Sequence, residues 1–252
     1  MIQKTDTNVI IDLGNTLFKV AVFDKNILLS IRVFKNGSYS RIGNYLKVLP
    51  QQSYCILSSV VNYPDTLKVL LNEHFKTIIL NPGTALPVVN SYKTPETLGK
   101  DRIAAAVAAW HAFPGKNLLV IDAGTAITMD LVTNDGNFVG GAISPGIDMR
   151  FKALHTFTGK LPLVKRKNIK YLTGATTEES ISTGVINGIA VEIDGIIDKY
   201  KLLYPDLTII FGGGDSKFLH KRLKNSIFAL PNPVINGLQI ILNYNIENEK
   251  IL

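Results

Sequence analysis

Near the start of the chain, Asp12-Leu13-Gly14-Asn15-Thr16 places a carboxylate, a glycine and two small polar side chains in a turn between two short apolar runs. The grouping returns as Asp122-Ala123-Gly124-Thr125-Ala126, with Asp122 and Gly124 each 110 positions after Asp12 and Gly14. A third glycine turn, Gly212-Gly213-Gly214-Asp215, follows another apolar run. Glycine lets the backbone approach a ligand closely, and successive N–H groups in such a turn can cradle phosphate oxygens. Thr16 and Thr125 add hydroxyl donors, and Asp12 or Asp122 can hold Mg²⁺ against phosphate charge, directly or through water. One Asp-x-Gly alone is an ordinary turn former. Two copies in register, with a third glycine turn, point to nucleotide binding.

A candidate base lies between the two copies. Asp101, in Gly99-Lys100-Asp101-Arg102, stands at the entry to an alanine-rich run. It either caps that helix and complements its dipole, or takes the proton of a hydroxyl that attacks a γ-phosphate. Arg102 either clamps an anionic group or makes a surface ion pair. Other phosphate-binding schemes lack their signatures. The three Gly-Lys pairs are followed by Asp101, Asn117 and Leu161, so no Walker A loop exists. No Gly-x-Gly-x-x-Gly opens a helix after the first strand. Ser144, in Ala-Ile-Ser-Pro-Gly, lacks the nucleophile-elbow pattern.

To present these turns the chain needs strands that end at them. Apolar or β-branched runs at 9–11, 18–23, 27–34, 54–60 and 77–80 predict strands. Residues 39–49 and 64–75 predict helices, the second with Leu67, Leu70 and Leu71 at helical spacing. The run 103–110 predicts a buried helix, because alanine favours helix over strand. Residues 118–132 repeat the strand–turn–strand pattern of the opening. Thr176 with Glu179 reads as a capping box. It opens a long helix with Ile181, Val185, Ile189, Ile193, Ile196 and Tyr200 on one face. Gly184, Gly188 and Gly195 weaken that helix, which implies close packing on their side by the core or by another subunit. The internal repeat predicts two similar α/β domains, 1–114 and 115–252.

Composition bounds the rest. The chain has 252 residues, 46% of them hydrophobic and 19% charged, which suits a globular protein with a sizeable core. No uninterrupted apolar run reaches the roughly 18–20 residues that span a bilayer. The opening Met-Ile-Gln-Lys-Thr-Asp-Thr-Asn is polar and lacks a signal-peptide core. Cys55 is the single cysteine, and four scattered histidines show no metal-ligand spacing. These features predict a cytoplasmic protein with no membrane partner. The net charge of +7 is densest at 160–170, around Lys165-Arg166-Lys167. With few aromatics and no nucleic-acid motif, that stretch reads as a solvated basic loop rather than a nucleic-acid patch.

Taken in order, Asp-Leu-Gly-Asn-Thr, Gly-Lys-Asp-Arg, Asp-Ala-Gly-Thr-Ala-Ile-Thr, Gly-Gly-Ala-Ile-Ser-Pro-Gly-Ile and Gly-Gly-Gly-Asp make the chain resemble type III pantothenate kinases. That family belongs to the sugar kinase, Hsp70 and actin superfamily. The resemblance implies an α/β fold of two ribonuclease-H-like domains with ATP bound in the cleft between them. It also implies transfer of the ATP γ-phosphate to pantothenate, the first step of coenzyme A biosynthesis. By motif, Asp12, Leu13, Gly14, Asn15, Thr16, Leu17, Phe18 and Lys19 form the first phosphate loop. Thr125 lies in the second, and Gly212, Gly213 and Gly214 approach the adenosine. Gly99, Lys100, Asp101 and Arg102 line the pantothenate pocket with Asp101 as general base, and Tyr92 and Thr183 match further pocket positions. The family pattern adds Mg²⁺ at Asp12, a monovalent cation (K⁺ or NH₄⁺) at Asp122, and a homodimer.

Two other readings share this fold. A non-catalytic nucleotide-binding regulator would have no need of Asp12, Asp101, Arg102 and Asp122 together. Phosphatases of the superfamily are generally longer and position water with a glutamate.

Overall fold

The computed structural model describes residues 7–248, so most of the polar opening stretch, residues 1–6, lies outside it. The chain divides into two compact units, 1–112 with 232–252, and 113–231.

In the first unit, β1 (Thr7–Leu13), β2 (Leu17–Asp24), β3 (Ile27–Lys35), β4 (Tyr54–Ser59) and β5 (Lys76–Ile79) form a sheet in the order β3-β2-β1-β4-β5. The first three strands are antiparallel neighbours, and β4 and β5 continue in parallel. Strand β1 is buried along both faces, as the inner strand of a covered sheet must be. Val9, Ile11 and Leu13 pack into a core with Ile42 and Leu46 of α1 (Tyr39–Leu46) and Leu67 and Leu71 of α2 (Asp65–His74). Ile10 and Asp12 alternate to the other face. Cys55 lies in the same core, where burial pushes its thiol far up and keeps it protonated. A two-residue strand, β6 (Val89–Asn90), and a single 3₁₀ turn (Pro95–Thr97) lead to α3 (Lys100–Ala112).

In the second unit, β7 (Leu118–Ala123), β8 (Ala126–Val132) and β9 (Asn137–Pro145) are antiparallel neighbours. After α4 (Ile147–Thr156) and α5 (Thr177–Leu203), β10 (Thr208–Gly212) pairs in parallel with β7. Past α6 (Ser216–His220), β11 (Phe228–Ala229) pairs in parallel with β10. The order β9-β8-β7-β10-β11 thus repeats that of the first sheet, a three-strand meander extended by two parallel strands. The sequence repeat is therefore a structural one, apart from one slip. Asp12 faces Lys19 across its hairpin, whereas Asp122 faces Thr128, so the second turn is one residue shorter.

Helix α5 begins as its sequence predicts. The Glu179 N–H donates to Thr176 Oγ1 at 3.2 Å, and Glu179 Oε2 accepts from the Ala175 N–H at 2.9 Å. By length and mean hydropathy α5 meets the test for a membrane-crossing helix. Its Ile181, Val185, Ile189, Ile193 and Ile197 are spent instead on the core beneath β7 and β10, and Glu192 and Asp194 interrupt its apolar run.

The expected domain division needs one correction. It falls between Ala112 and Phe113, and the last helix, α7 (Pro233–Glu247), belongs to the first unit rather than to a domain 115–252. The reason is packing against α3. A Cβ on Gly237 would lie 1.7 Å from the Ala104 carbonyl oxygen, so the two backbones touch where glycine meets alanine. Amide side chains fix the docking: Asn8 Nδ2 donates to Asn243 Oδ1 at 2.8 Å, Gln239 Nε2 to the Lys25 carbonyl at 2.8 Å, and Asn245 Nδ2 to the Ala85 carbonyl at 2.9 Å. The alanine run of α3 is thus the floor on which α7 lies.

Candidate active site

In the first unit the Asp12 turn closes when the Gly14 N–H donates to the Leu17 carbonyl at 3.1 Å. Asn36 braces it, its Nδ2 donating to the Asn15 carbonyl at 2.7 Å and its N–H to the Thr16 carbonyl at 3.2 Å. Asn15, Thr16 and Leu17 are exposed, and Lys19 is half-buried. Leu13 and Phe18, both expected in the phosphate loop, are fully buried core residues, so only their backbone is available to a ligand. Asp12 is 8% exposed, at the carboxyl end of β1. It registers with Ser58 of β4, whose buried Oγ has no hydrogen-bond partner among the described residues.

The Gly99-Lys100-Asp101-Arg102 corner forms the first turn of α3. The Arg102 and Ile103 N–H groups donate to the Gly99 carbonyl at 3.1 and 3.3 Å. Asp101 Oδ1 accepts from the Arg102 N–H at 2.9 Å, which holds the half-buried carboxylate still. That bond engages one oxygen of two, so the capping role and a role as base are compatible. A Cβ on Gly99 would lie 2.6 Å from Asp101 Oδ1, which accounts for the glycine. Arg102 is 5% exposed, and its guanidinium lies over the Tyr92 ring, 5.4 Å from the centroid. Tyr92 is held by an Asx turn, its N–H donating to Asn90 Oδ1 at 3.1 Å. Burial pushes the Lys100 ammonium below the ordinary lysine value.

In the second unit three turns converge. Asp122, next to last in β7, is registered with Gly212 of β10, and the Gly124 N–H donates to the Ala126 carbonyl at 2.9 Å. Gly213 has φ +93°, and a Cβ there would lie 2.2 Å from the Ala123 carbonyl oxygen and 2.4 Å from Asp122 Oδ1. The Asp215 N–H donates to the Ala123 carbonyl at 2.9 Å, which ties the third turn to the second. Gly146, not singled out in the sequence, closes the group. Its N–H donates to the Thr125 carbonyl at 3.1 Å, and a Cβ would lie 2.1 Å from the Gly124 carbonyl oxygen. Its requirement comes from segments adjacent only in space, although it stands inside the Ser-Pro-Gly stretch. Thr183 is buried on α5, where its Oγ1 donates to the Ser180 carbonyl at 3.0 Å.

Among the described residues no three His, Cys, Asp or Glu side chains group as a metal site. Mg²⁺ does not require such a group, because it is commonly held by one or two carboxylates with phosphate oxygens and water. The buried Asp12 carboxylate beside the orphaned Ser58 hydroxyl fits that demand. Asp122 offers the oxygen donor that a monovalent cation takes.

A model of the type III pantothenate kinase family matches residues 8–199. The chain belongs to that family. A type III pantothenate kinase of Christiangramia forsetii is 50% identical over 239 residues, covering 94% of this chain and 98% of the relative. One of Bacteroides fragilis is 44% identical over 239 residues, covering 94% and 98%. Solved structures extend the likeness to fold. A Baf family transcriptional activator from Campylobacter jejuni, itself described as putative, has TM-score 0.55 at 22% identity, covering 95% of this chain and 99% of its own. The activator of 2-hydroxyisocaproyl-CoA dehydratase from Clostridium difficile, with bound ADPNP, has TM-score 0.56 at 12% identity, covering 98% of each. An inorganic polyphosphate/ATP-glucomannokinase from Arthrobacter has TM-score 0.52 at 16% identity, covering 95% and 99%. The fold is that of the actin-like ATPases and sugar kinases, with two ribonuclease-H-like sheets. Within the family match lie the Asp12 and Asp122 turns, the Asp101 corner and Thr183; the Gly212–Gly214 turn lies beyond it.

Proposed function

We propose that this type III pantothenate kinase family member transfers the γ-phosphoryl group of ATP to the primary hydroxyl of pantothenate, giving ADP and 4′-phosphopantothenate at the first step of coenzyme A biosynthesis. The observation that carries the reading is the corner formed by Gly99, Asp101, Arg102 and Tyr92: a carboxylate positioned by the Arg102 N–H, next in sequence to a buried arginine that reaches over Tyr92. The hydroxyl oxygen bonds to the γ-phosphorus, the bond from that phosphorus to the β–γ bridging oxygen breaks, and ADP leaves with the electron pair. Asp101 takes the hydroxyl proton on the oxygen not engaged by the Arg102 N–H. Arg102 holds pantothenate or the moving phosphoryl group, and Lys100 and Thr183 are further pantothenate contacts. Most of the rate comes from positioning and charge stabilisation.

In the same reading, residues 12–19 and Thr125 hold the phosphates, and Gly212, Gly213 and Gly214 lie against the adenosine. Asp12 would hold Mg²⁺ and Asp122 a K⁺ or NH₄⁺ ion; bound there, they offset phosphate charge. The protein acts as a cytoplasmic homodimer, with neither nucleic acid nor membrane as partner. Support for the dimer comes from α5, where Gly184, Gly188, Val191 and Gly195 form an outward stripe. Val191 is 72% exposed, and nothing lies within 4 Å of a Cβ built on any of the three glycines.

The test is 4′-phosphopantothenate formation coupled to ATP consumption, in K⁺ against Na⁺, for the wild type and Asp101→Asn. K⁺-dependent product that nearly vanishes in a folded mutant supports reaction and base together. No product from a wild type that still binds ATP overturns the kinase reading in favour of the regulator. Undiminished product in the mutant returns Asp101 to a capping role.

A further inference from the structure

The segment from Phe157 to Thr176, about 20 residues, carries no helix or strand, and loops of that length in compact domains are usually functional or disordered. This one is anchored. Val164 and Ile169 are buried in the core of the second unit, and Asn187 Nδ2 donates to the Tyr171 carbonyl at 3.2 Å. Between the two buried anchors stands Arg166, the centre of the basic stretch that neither nucleic acid nor the phosphate turns account for. It is exposed, as the sequence predicts, but it is not unpartnered. Its Nη1 pairs with Asp215 Oδ1, and its guanidinium lies over the Phe218 ring, 5.3 Å from the centroid. Arg222 lies over the same ring at 4.1 Å and bonds back to the loop at Asn168.

Asp215 ends the third glycine turn and precedes α6, yet its side chain makes no capping bond to that helix. Its carboxylate is turned to the loop, while its N–H is tied to the Ala123 carbonyl beneath Gly213. Arg166 is also within electrostatic reach of Asp148, in the first turn of α4 behind Gly146. It therefore joins the loop to both elements that flank the convergent turns.

We propose that Arg166 is a positioning residue for the nucleotide: through Asp215 it fixes the Gly213–Gly214 turn in the shape that receives the adenosine. The proposal rests on the reading of that turn as the adenosine contact. A partly exposed ion pair contributes little to global stability, so its loss is felt in the geometry of the turn rather than in folding.

The test measures kinetics with each substrate varied, Kd for a non-hydrolysable ATP analogue by calorimetry, and thermal unfolding. The variants are Arg166→Gln, Arg166→Lys, Asp215→Asn and the swap R166D/D215R. Arg166→Gln and Asp215→Asn are expected to raise the ATP KM and the analogue Kd about 5- to 10-fold, within the range of measured coupling between contacting residues. Their kcat and pantothenate KM stay within about 2-fold, since an interaction uniform in ground and transition states affects KM alone. Arg166→Lys and the swap recover part of the affinity. An unchanged ATP KM and Kd in folded Arg166→Gln would overturn the proposal, as would an equal loss for pantothenate. Should Arg166→Gln fail to fold, Asp215→Asn and the swap decide the matter by the same criteria. A wild type that binds the analogue but makes no product defeats the kinase reading alone, and the Kd series still judges Arg166.

Discussion

Arg102 reaches over Tyr92: its buried guanidinium carbon lies 5.4 Å from the ring centroid. Neither residue needs the other for its backbone position, because Arg102 is set by the helix start and Tyr92 by the Asn90 turn. Their contact defines one wall of the proposed pantothenate pocket. A desolvated cation–π contact contributes up to about 2 kcal/mol. Tyr92→Leu is therefore expected to raise the pantothenate KM about 10-fold, by the conversion of 1.4 kcal/mol to a factor of ten. Tyr92→Phe keeps the ring face and should change it less than about 2-fold. Steady-state kinetics with pantothenate varied decides between them.

Gly99→Ala introduces a methyl group 2.6 Å from Asp101 Oδ1. The carboxylate must swing away, and an ångström of misplacement at a reacting group costs on the order of 100-fold. The expected result is a kcat lower by about that factor with a nearly unchanged melting temperature. A large drop in melting temperature would instead mark Gly99 as a residue of the helix start.

Gly213 and Gly214 are neighbours with opposite demands. Gly213 has a left-handed φ of +93° and no room for a Cβ, whereas nothing lies within 4 Å of a Cβ on Gly214. Gly213→Ala should destabilise the fold by about 2–4 kcal/mol from backbone strain and overpacking together. Gly214→Ala should stay within about 0.5 kcal/mol. Urea unfolding of both variants checks the contrast.

Lys100 carries a pH signature. Its folded value lies below that of the unfolded chain, so between the two the unfolded state binds more protons and stability rises with pH. The burial cost is present in full below the depressed value and vanishes above the ordinary lysine value. Lys100→Met should raise the melting temperature slightly near neutrality, and the gain should shrink as the pH climbs toward the ordinary lysine range. A gain that is constant with pH would assign the effect to apolar packing.

Gly237→Ala places a methyl group 1.7 Å from the Ala104 carbonyl oxygen. Overpacking at a fixed backbone contact costs about 3 kcal/mol. The variant is expected to melt well below the wild type, and a chain stopped after Pro231 should lose the cooperative unfolding of the first unit. Calorimetry on both tests this.

Much of this was legible in the sequence because the signals were local. The Asp12 and Asp122 turns could be laid on each other, and the five sheet strands β1–β5 of the first unit and β7–β11 of the second run in the same order. The Thr176–Glu179 cap was readable as four consecutive residues. What escaped depends on partners far along the chain. Helix α7 carries an apolar face and an N-terminal proline, but the demand for glycine at 237 arises only at Ala104. Gly146 looks like an ordinary helix entry until it meets the carbonyls of Gly124 and Thr125. Leu13 and Phe18 sit inside a phosphate-loop motif, yet strand alternation sends both side chains to the core. Arg166 looked like one charge in a basic run, because Asp215 and Phe218 come to it only in three dimensions.

The return of α7 to the first unit also sets an order of events at the ribosome. Residues 113–231 form one uninterrupted unit that emerges whole, while the sheet begun by β1 still waits for its final helix. Domains generally fold as units during synthesis, so the second half of this protein can finish before the first. Until α7 emerges, the alanine face of α3 stays uncovered on the nascent chain, a state open to aggregation and to chaperones.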